Sequence, residues 1–363
     1  MSDLSLDSLF MKRCLQLAAN GRATCAPNPM VGAVVVHQGR IVGEGWHRKA
    51  GEPHAEPNAI HSVRNQELLK DSTLYVSLEP CSHYGKTPPC ADLIIEKLIP
   101  RVVVGSLDPF PKVAGRGVAK MRAAGIDVTV GMEEPACLDL NRRFFQFYLK
   151  KRPYIILKWA QTADGFIDGI RKPGDGTPSL KISTSYTQML VHKLRSECNA
   201  ILVGTNTALL DNPSLNVRFW IGKSPVRVVL DRQRSLPSDA VLLDGSTTTL
   251  VFTAMPSDKQ GKTIWIHLDY QKDILDQMLQ ELYARNLHTL LVEGGAKLHE
   301  SFLRAGLWDE IHIETSSQNI GEGVAAPDLS QWHIEGEKLL TYDIGSHRRD
   351  VRIYRKMPLF NTP

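Results

Sequence analysis

Leu6, Leu9, Phe10, Cys14, Leu17 and Ala18 recur at the three-and-four spacing of one helix face, and Gly21 supplies a stop, so the chain is expected to open on a helix. The period then changes. Val31-Gly32-Ala33-Val34-Val35-Val36 reads as a buried strand, and Gln38-Gly39 turns it back into a second strand, Arg40 to Trp46. Beyond this hairpin the patterns alternate: a helix from about Ala55, strand Thr73–Leu78, helix Ala91–Leu98, strand Arg101–Gly105, helix Gly117–Ala124 and strand Asp127–Val130. Such alternation predicts a three-layer α/β arrangement.

A further helix is expected from Glu134 to about Lys150, ending in the basic, proline-bearing run Lys150-Lys151-Arg152-Pro153. That run is the natural boundary, giving domains 1–150 and 151–363. In the second, Tyr154–Trp159, Ala200–Gly204, Val226–Asp231, Thr249–Thr253 and Thr289–Glu293 have the pattern of buried strands, interleaved with helices near Thr184–Arg195, Ile274–Arg285 and Ala296–Ala305. The glycine- and proline-rich stretch Gly169–Ser179 reads as a loop.

Composition narrows the class. At 363 residues, with 42% hydrophobic and 23% charged positions, the chain can fill two sizeable cores. A net charge of +4 spread over both halves lacks the basic excess of a nucleic-acid binder, so no nucleic-acid partner is expected. The N-terminus carries Asp3 and Asp7 within an amphipathic pattern, unlike a signal peptide, and no apolar run approaches the roughly 18 residues of a membrane span. Six cysteines (Cys14, Cys25, Cys81, Cys90, Cys137 and Cys198) are too sparse for a disulfide framework, and a cytoplasmic location without a membrane partner is the expectation. A homo-oligomer is compatible with the sequence.

The chemistry concentrates in His54-Ala55-Glu56, Pro80-Cys81 and Pro89-Cys90. Hydrolytic zinc sites use three protein ligands and leave the fourth position to water, whose pKa falls to about 7. His54, Cys81 and Cys90 supply that set, and Glu56 is placed to move protons without binding the metal, the layout of zinc deaminases. Both ligand groups stand just before helical patterns, and a helix N-terminus would favour a Cys90 thiolate. Two readings stay open beside this one: a closed structural site with His83 as fourth ligand, and a zinc deaminase whose second half binds RNA. Gly85-Lys86-Thr87 and Gly222-Lys223-Ser224 are not phosphate-binding P-loops, because Pro80 and Val217 occupy the positions of the required glycine.

The runs Ala26-Pro27-Asn28-Pro29-Met30-Val31-Gly32, His54-Ala55-Glu56 and Leu78 through Cys90 resemble the bifunctional deaminase/reductase family of riboflavin biosynthesis, as do Asp108-Pro109 and Val113-Ala114-Gly115-Arg116-Gly117. Eight residues between the cysteines separate it from the shorter C-x-x-C of tRNA and cytidine deaminases. The resemblance implies a cytidine-deaminase-like three-layer α/β/α domain followed by a dihydrofolate-reductase-like α/β domain. It implies zinc-dependent deamination of a phosphoribosylated diaminopyrimidinone, a small-molecule substrate, and then reduction of its ribosyl group by NADPH. Asn28 and His47 match positions near the deaminase substrate, and Lys86 and Thr87 match contacts to its phosphate.

In the second half the resemblance runs through Leu157-Lys158-Trp159-Ala160, Asp164-Gly165, Leu194-Arg195, Gly204-Thr205-Asn206-Thr207, Asp211 to Arg218, and Val292-Glu293-Gly294-Gly295. It implies cofactor binding by Ala160, Thr207, Asp211, Gly294 and Gly295, and substrate binding by Ser179, Arg195, Leu215, Arg218 and Glu293. Residue chemistry agrees in part. Gly294-Gly295 between a buried strand and a helix lets a phosphate reach backbone N–H groups; Arg195 and Arg218 have the fork geometry phosphates require; and Lys158 in an apolar strand is a candidate catalytic group. Where many relatives carry Trp-Ile-Thr or Trp-Ile-Ser, this chain has Lys181-Ile182-Ser183, which makes Lys181 a candidate for a cofactor phosphate.

Overall fold

Gln38 and Gly39 both adopt positive φ, 48° and 73°, the turn whose twist matches a two-residue hairpin. They join β1 (Gly32–His37) to β2 (Arg40–Trp46). The computed structural model describes residues 3–84, 88–109, 114–332, 334, 337–344 and 347–356, which fall into two units, Met1–Lys150 and Lys151–Pro363.

In the first unit α1 (Asp3–Ala18) precedes the hairpin, and α2 (Ala55–Ser62), β3 (Ser72–Leu78), α3 (Cys90–Glu96), β4 (Arg101–Ser106), α4 (Arg116–Ala123) and β5 (Asp127–Val130) follow. The sheet order is β2-β1-β3-β4-β5, with β1 antiparallel to both neighbours and β3, β4 and β5 parallel. Alternate residues of β1 serve opposite faces: Ala33 and Val35 pack with Ala59, Ile60 and Ile94, whereas Val34 and Val36 pack with Phe10, Met11 and Cys14. Both faces are therefore covered by helices, in three layers. Gly45 lets α2 lie close against β2, since a Cβ there would fall 2.3 Å from the Ala59 nitrogen.

The single helix expected from Glu134 to Lys150 is two, α5 (Glu134–Leu140) and α6 (Arg142–Lys150). Asn141 breaks it. Its buried side chain accepts from the Met30 N–H and donates to the Met30 carbonyl, each at 2.8 Å. Pairing with a distant backbone outweighs helix continuation here, and it fixes the segment that carries Asn28.

The second unit begins with β6 (Tyr154–Gln161) and β7 (Phe166–Asp168), then α7 (Ser185–Ser196), β8 (Ala200–Gly204), α8 (Thr205–Asp211), β9 (Val226–Leu230) and β10 (Thr249–Thr253). It continues through β11 (Asp258–Gln260), β12 (Thr263–His267), α9 (Ile274–Ala284), β13 (Thr289–Val292), α10 (Ala296–Arg304), β14 (Glu310–Ser316), β15 (Val324–Ala325), β16 (Glu337–Ile344) and β17 (His347–Arg355). Ten strands form one sheet in the order β11-β12-β10-β9-β8-β13-β6-β14-β17-β16. From β12 to β14 the neighbours are parallel, and α7, α8, α9 and α10 supply the crossovers that lead into β8, β9, β13 and β14.

Strands β14 and β17 escape the hydrophobic pattern because their polar residues are paired inside the fold. Glu314 is buried and faces Arg349 at 3.7 Å, and Glu310 meets Arg355 at 3.4 Å. Along β6, Ile155, Leu157 and Trp159 enter one core, and Tyr154 and Ile156 the other. Strand alternation places Lys158 and Ala160 on the face of Ile156. Among the described residues no helix is long and apolar enough to cross a membrane.

Candidate active sites

His54 is the residue from which α2 departs, and Cys90 is the first residue of α3. Their ends of the two helices meet over Cys81, which follows β3. His54 Nδ1 lies 3.6 Å from Cys81 Sγ and 3.4 Å from Cys90 Sγ, and the three ligand atoms all lie within 4.8 Å of one another. A tetrahedral zinc with Zn–S about 2.3 Å and Zn–N about 2.0–2.1 Å has S···N edges of about 3.6 Å, so the donor set fits that ion. His83 is exposed and is not part of the cluster, which removes the closed four-ligand alternative.

The end of α3 bears on both thiols. The first-turn N–H of α3, at Cys90, donates to Cys81 Sγ at 3.3 Å. Hydrogen bonds with Cys90 and His54 pull the Cys81 thiol down, and the hydrogen bond with Cys81, with burial behind it, pushes the Cys90 thiol up. The helix end thus reaches the Cys81 sulfur with one of its free N–H groups, while Cys90 itself stands at the first position of the helix.

Glu56, in the first turn of α2, is 3% exposed, and its Oε2 is buried with no hydrogen-bond partner among the described residues. Burial pushes its carboxyl up to about 7, against the opposing charge of His54. An orphaned, readily protonated oxygen beside three metal donors is what a proton carrier requires. His47 is 2% exposed and packs edge-on to His54, with centroids 5.4 Å apart. The Pro53 carbonyl, 3.1 Å from His47 Nδ1, can only accept, so Nδ1 carries the proton and Nε2 accepts from Asn28 Nδ2 at 3.0 Å. Asn28 and His47 are thereby brought together. Lys86 and Thr87 lie outside the described residues.

Glu79 is a residue the sequence reading missed. One of its oxygens accepts from the N–H groups of Asp108 (3.3 Å) and Gly115 (2.8 Å), and the other from Gly117 (2.9 Å) and Val118 (3.2 Å). This buried carboxylate caps α4 from a position two residues before Cys81. A Cβ on Gly117 would fall 2.0 Å from the Pro80 carbonyl, so the clasp needs glycine there.

The second unit holds a cavity of about 960 Å³ at the C-terminal ends of β6, β8 and β13. Lys158, Ala160 and Glu293 line it from the strands, and Thr207, Asp211, Gly294 and Gly295 from the starts of α8 and α10 and the end of α8. Ser179, Lys181, Arg195 and Arg218 complete the expected set, whereas Leu215 is buried in the core and does not line the cavity. Ligands collect at such strand ends because helix N-termini present free N–H groups there. Gly295 caps α10, and a Cβ on Gly294 would fall 2.5 Å from Leu298 Cδ2 and 3.4 Å from the Gly204 nitrogen, so the glycine leaves the backbone here closely approached. Room for two ligands and a helix-end cradle fit a dinucleotide beside a substrate.

Arg195 is not a free fork. Its guanidinium is bidentate to Glu293 and donates also to the Asn216 carbonyl at 3.2 Å. Arg218 is exposed and donates from Nη1 to Ser214 Oγ and Asn216 Oδ1 (2.9 and 3.0 Å), with Nη2 unpartnered among the described residues. Asp211 is paired with Arg171 at 2.5 Å, and Arg171 also grips Asp168, so the Gly169–Ser179 loop is tied to both β7 and α8. Glu314 holds the Lys181-Ile182-Ser183 segment by accepting from Ser183 Oγ (2.6 Å) and Thr187 Oγ1 (2.7 Å). Gln188 and His192 line the cavity on the same face of α7 as Arg195; that polar stripe at helical spacing was a signal available in the sequence.

Residues 4–106 match the model of the cytidine and deoxycytidylate deaminase zinc-binding region, and residues 153–343 match the RibD C-terminal domain. The chain is 42% identical over 339 residues to the riboflavin biosynthesis protein RibD of Aquifex aeolicus, covering 91% of this chain and 92% of that protein. It is 36% identical to the RibD protein of Escherichia coli, with 87% and 89% covered. The crystal structure of a diaminohydroxyphosphoribosylaminopyrimidine deaminase/5-amino-6-(5-phosphoribosylamino)uracil reductase from Thermotoga maritima is similar with a TM-score of 0.84 and 36% identity, covering 98% of this chain and all of that one. RibD of Acinetobacter baumannii is similar at a TM-score of 0.83 and 31% identity, covering 98% of this chain and 100% of that chain.

Proposed function

The chain belongs to the RibD family of bifunctional riboflavin-biosynthesis enzymes, and on that premise we propose which of its residues carry each of the two reactions. It has a cytidine-deaminase-like first unit and a dihydrofolate-reductase-like second unit, and it uses zinc and NADPH. The first reaction is hydrolytic deamination of 2,5-diamino-6-(5-phosphoribosylamino)pyrimidin-4(3H)-one; the second reduces the ribosyl group to give 5-amino-6-(5-phosphoribitylamino)uracil.

His54, Cys81 and Cys90 hold the zinc, which when bound supplies water acidified to a pKa of about 7. Glu56 Oε2 takes a proton from water and returns it to the departing amine nitrogen; its burial, and the lack of a hydrogen-bond partner for that oxygen among the described residues, support that role. His47 and Asn28, linked to each other, orient the pyrimidine beside His54.

NADPH supplies hydride in the second unit. The Gly294-Gly295 cradle, with Ala160, Thr207 and Asp211, receives the cofactor, and Arg171 screens the Asp211 carboxylate from its phosphates. Once the ribosyl ring has opened to its imine form, hydride adds to the C=N carbon and Lys158, on the cavity floor beside Glu293, delivers a proton to the imine nitrogen. Ser179, Arg218 and the Arg195–Glu293 pair shape the substrate end. The enzyme works in the reducing cytoplasm, a reading supported by six free cysteines.

The observation that carries the deaminase assignment is the unpartnered Glu56 oxygen beside three zinc-spaced donors. Purified protein incubated with the diaminopyrimidinone phosphate is expected to release ammonia without NADPH and to oxidise NADPH afterwards. NADPH oxidation without prior ammonia release would contradict the order.

A further inference from the structure

His192 has no place among the expectations the sequence raises. It lines the reductase cavity from α7, is 3% exposed, and sets its ring edge-on to Phe219 with centroids 4.8 Å apart. Its Nδ1 accepts a hydrogen bond from the backbone N–H of Arg218 at 3.1 Å. A ring nitrogen that accepts carries no proton, so the neutral imidazole has its hydrogen on Nε2. Burial, and after it the charges of Arg195 and Arg218, push this imidazole down to about 4, so the ring is neutral near pH 7.

The two nitrogens therefore do different work. Nδ1 is used within the protein, tying the Arg218 segment to α7. Nε2–H has no acceptor among the described residues, on a ring that lines the cavity. The positive potential that disfavours an imidazolium in this corner favours an anion instead. Arg218, whose guanidinium lies over the same Phe219 ring at 5.0 Å, has Nη2 without a hydrogen-bond partner among the described residues, and both side chains line the cavity.

We propose that His192 is a further substrate-binding residue of the reductase site, donating from Nε2 to an oxygen of the substrate's phosphate monoester while Nδ1 holds the Arg218 segment beside it. This inference rests on the reductase reading of the second unit. It names a neutral donor where the sequence pointed only to arginines.

Two variants of the full chain separate the nitrogens. His192→Asn keeps an acceptor near the Nδ1 position and loses the distal donor; His192→Gln places an amide N–H near the Nε2 position and loses the proximal acceptor. Ribose 5-phosphate, ribose and NADPH are titrated separately, and KM and kcat are read from NADPH oxidation with the deaminated substrate. His192→Asn is expected to weaken ribose 5-phosphate and raise the substrate KM by about tenfold, the effect of one hydrogen bond to a charged group. Its kcat stays within about twofold, as a change in ground-state binding predicts, and its affinities for NADPH and ribose are unchanged. His192→Gln is expected to recover most of the ribose 5-phosphate affinity. The proposal is overturned if His192→Asn binds ribose 5-phosphate as the parent does, if both variants lose it equally, or if NADPH affinity falls in step. Failure of the unmodified chain to oxidise NADPH with its substrate would overturn the reductase reading instead, while the ribose 5-phosphate titration still decides the role of His192.

Discussion

Arg195 and Glu293 are joined in a two-pronged ion pair, Nε to Oε1 at 3.0 Å and Nη2 to Oε2 at 2.5 Å, with their side chains only 13% and 11% exposed. The pair links α7 to the end of β13 across the wall of the reductase cavity. A guanidinium so engaged positions its neighbours more than it competes for a phosphate.

Glu293→Gln keeps the shape and removes the charge, leaving Arg195 largely buried without its partner. Breaking a buried pair from one side costs about 3 kcal/mol. Thermal unfolding of the second unit is expected at lower temperature, with NADPH oxidation reduced at least tenfold and ammonia release unchanged. An unaltered melting curve together with unaltered NADPH oxidation would show the pair to be incidental.

The same pair sets an acid limit. Burial pushes the Glu293 carboxyl up, but the charge and hydrogen bonds of Arg195, with Lys158 behind them, outweigh it and hold the carboxyl below its ordinary value of 4.5. A carboxyl depressed in the folded state adds stability that is fully present above the unfolded pKa and is lost as pH falls through the folded one. Melting temperatures measured between pH 7 and pH 3 are therefore expected to fall below about pH 4.5, and to fall less steeply in Glu293→Gln. Parallel acid limbs in the two proteins would contradict this linkage.

Glu56→Gln is expected to reduce ammonia release by about two to four orders of magnitude, the range for a lost general acid–base group. Zinc content should remain one per chain, since Glu56 is not one of the three ligands, and reduction of separately supplied deaminated substrate should continue. Loss of zinc in this variant would make Glu56 a ligand and refute the assigned role.

Glu79→Ala strands four backbone N–H groups that a single carboxylate now satisfies. With each unsatisfied buried donor costing about 1–3 kcal/mol, and water recovering part of it, a loss of roughly 3 kcal/mol is expected in the first unit. Deaminase activity should fall with it, because the clasp fixes the strand end two residues before Cys81. Denaturant unfolding followed beside ammonia release checks both; a midpoint within experimental scatter of the parent would remove Glu79 from the site's support.

Much of the first unit is legible in the sequence because its signals are local. Gln38-Gly39 carries its own turn geometry, Val31 to Val36 its own burial, and His54, Cys81 and Cys90 bring donor chemistry that few other functions require. The long helix from Glu134 failed because Asn141 serves Met30, a partner more than a hundred residues away that no periodicity reveals. Strands β14 and β17 were missed for the same reason: Glu314 and Arg349 look like surface residues until the fold pairs them.

By itself, then, the sequence determined the layered first unit, the candidate donor set of His54, Cys81 and Cys90 with Glu56 in the same motif, and the family to which both halves belong, since these rest on residue identity and short-range spacing. Tertiary structure alone decided how the donors are used: the helix-end N–H of Cys90 goes to Cys81, the Arg195 fork is taken up by Glu293, Arg171 covers Asp211, and His192 turns Nδ1 to the Arg218 backbone from the cavity wall. Hydrogen bonding and charge pairing are properties of groups brought together, and the chain's order does not say which groups will meet.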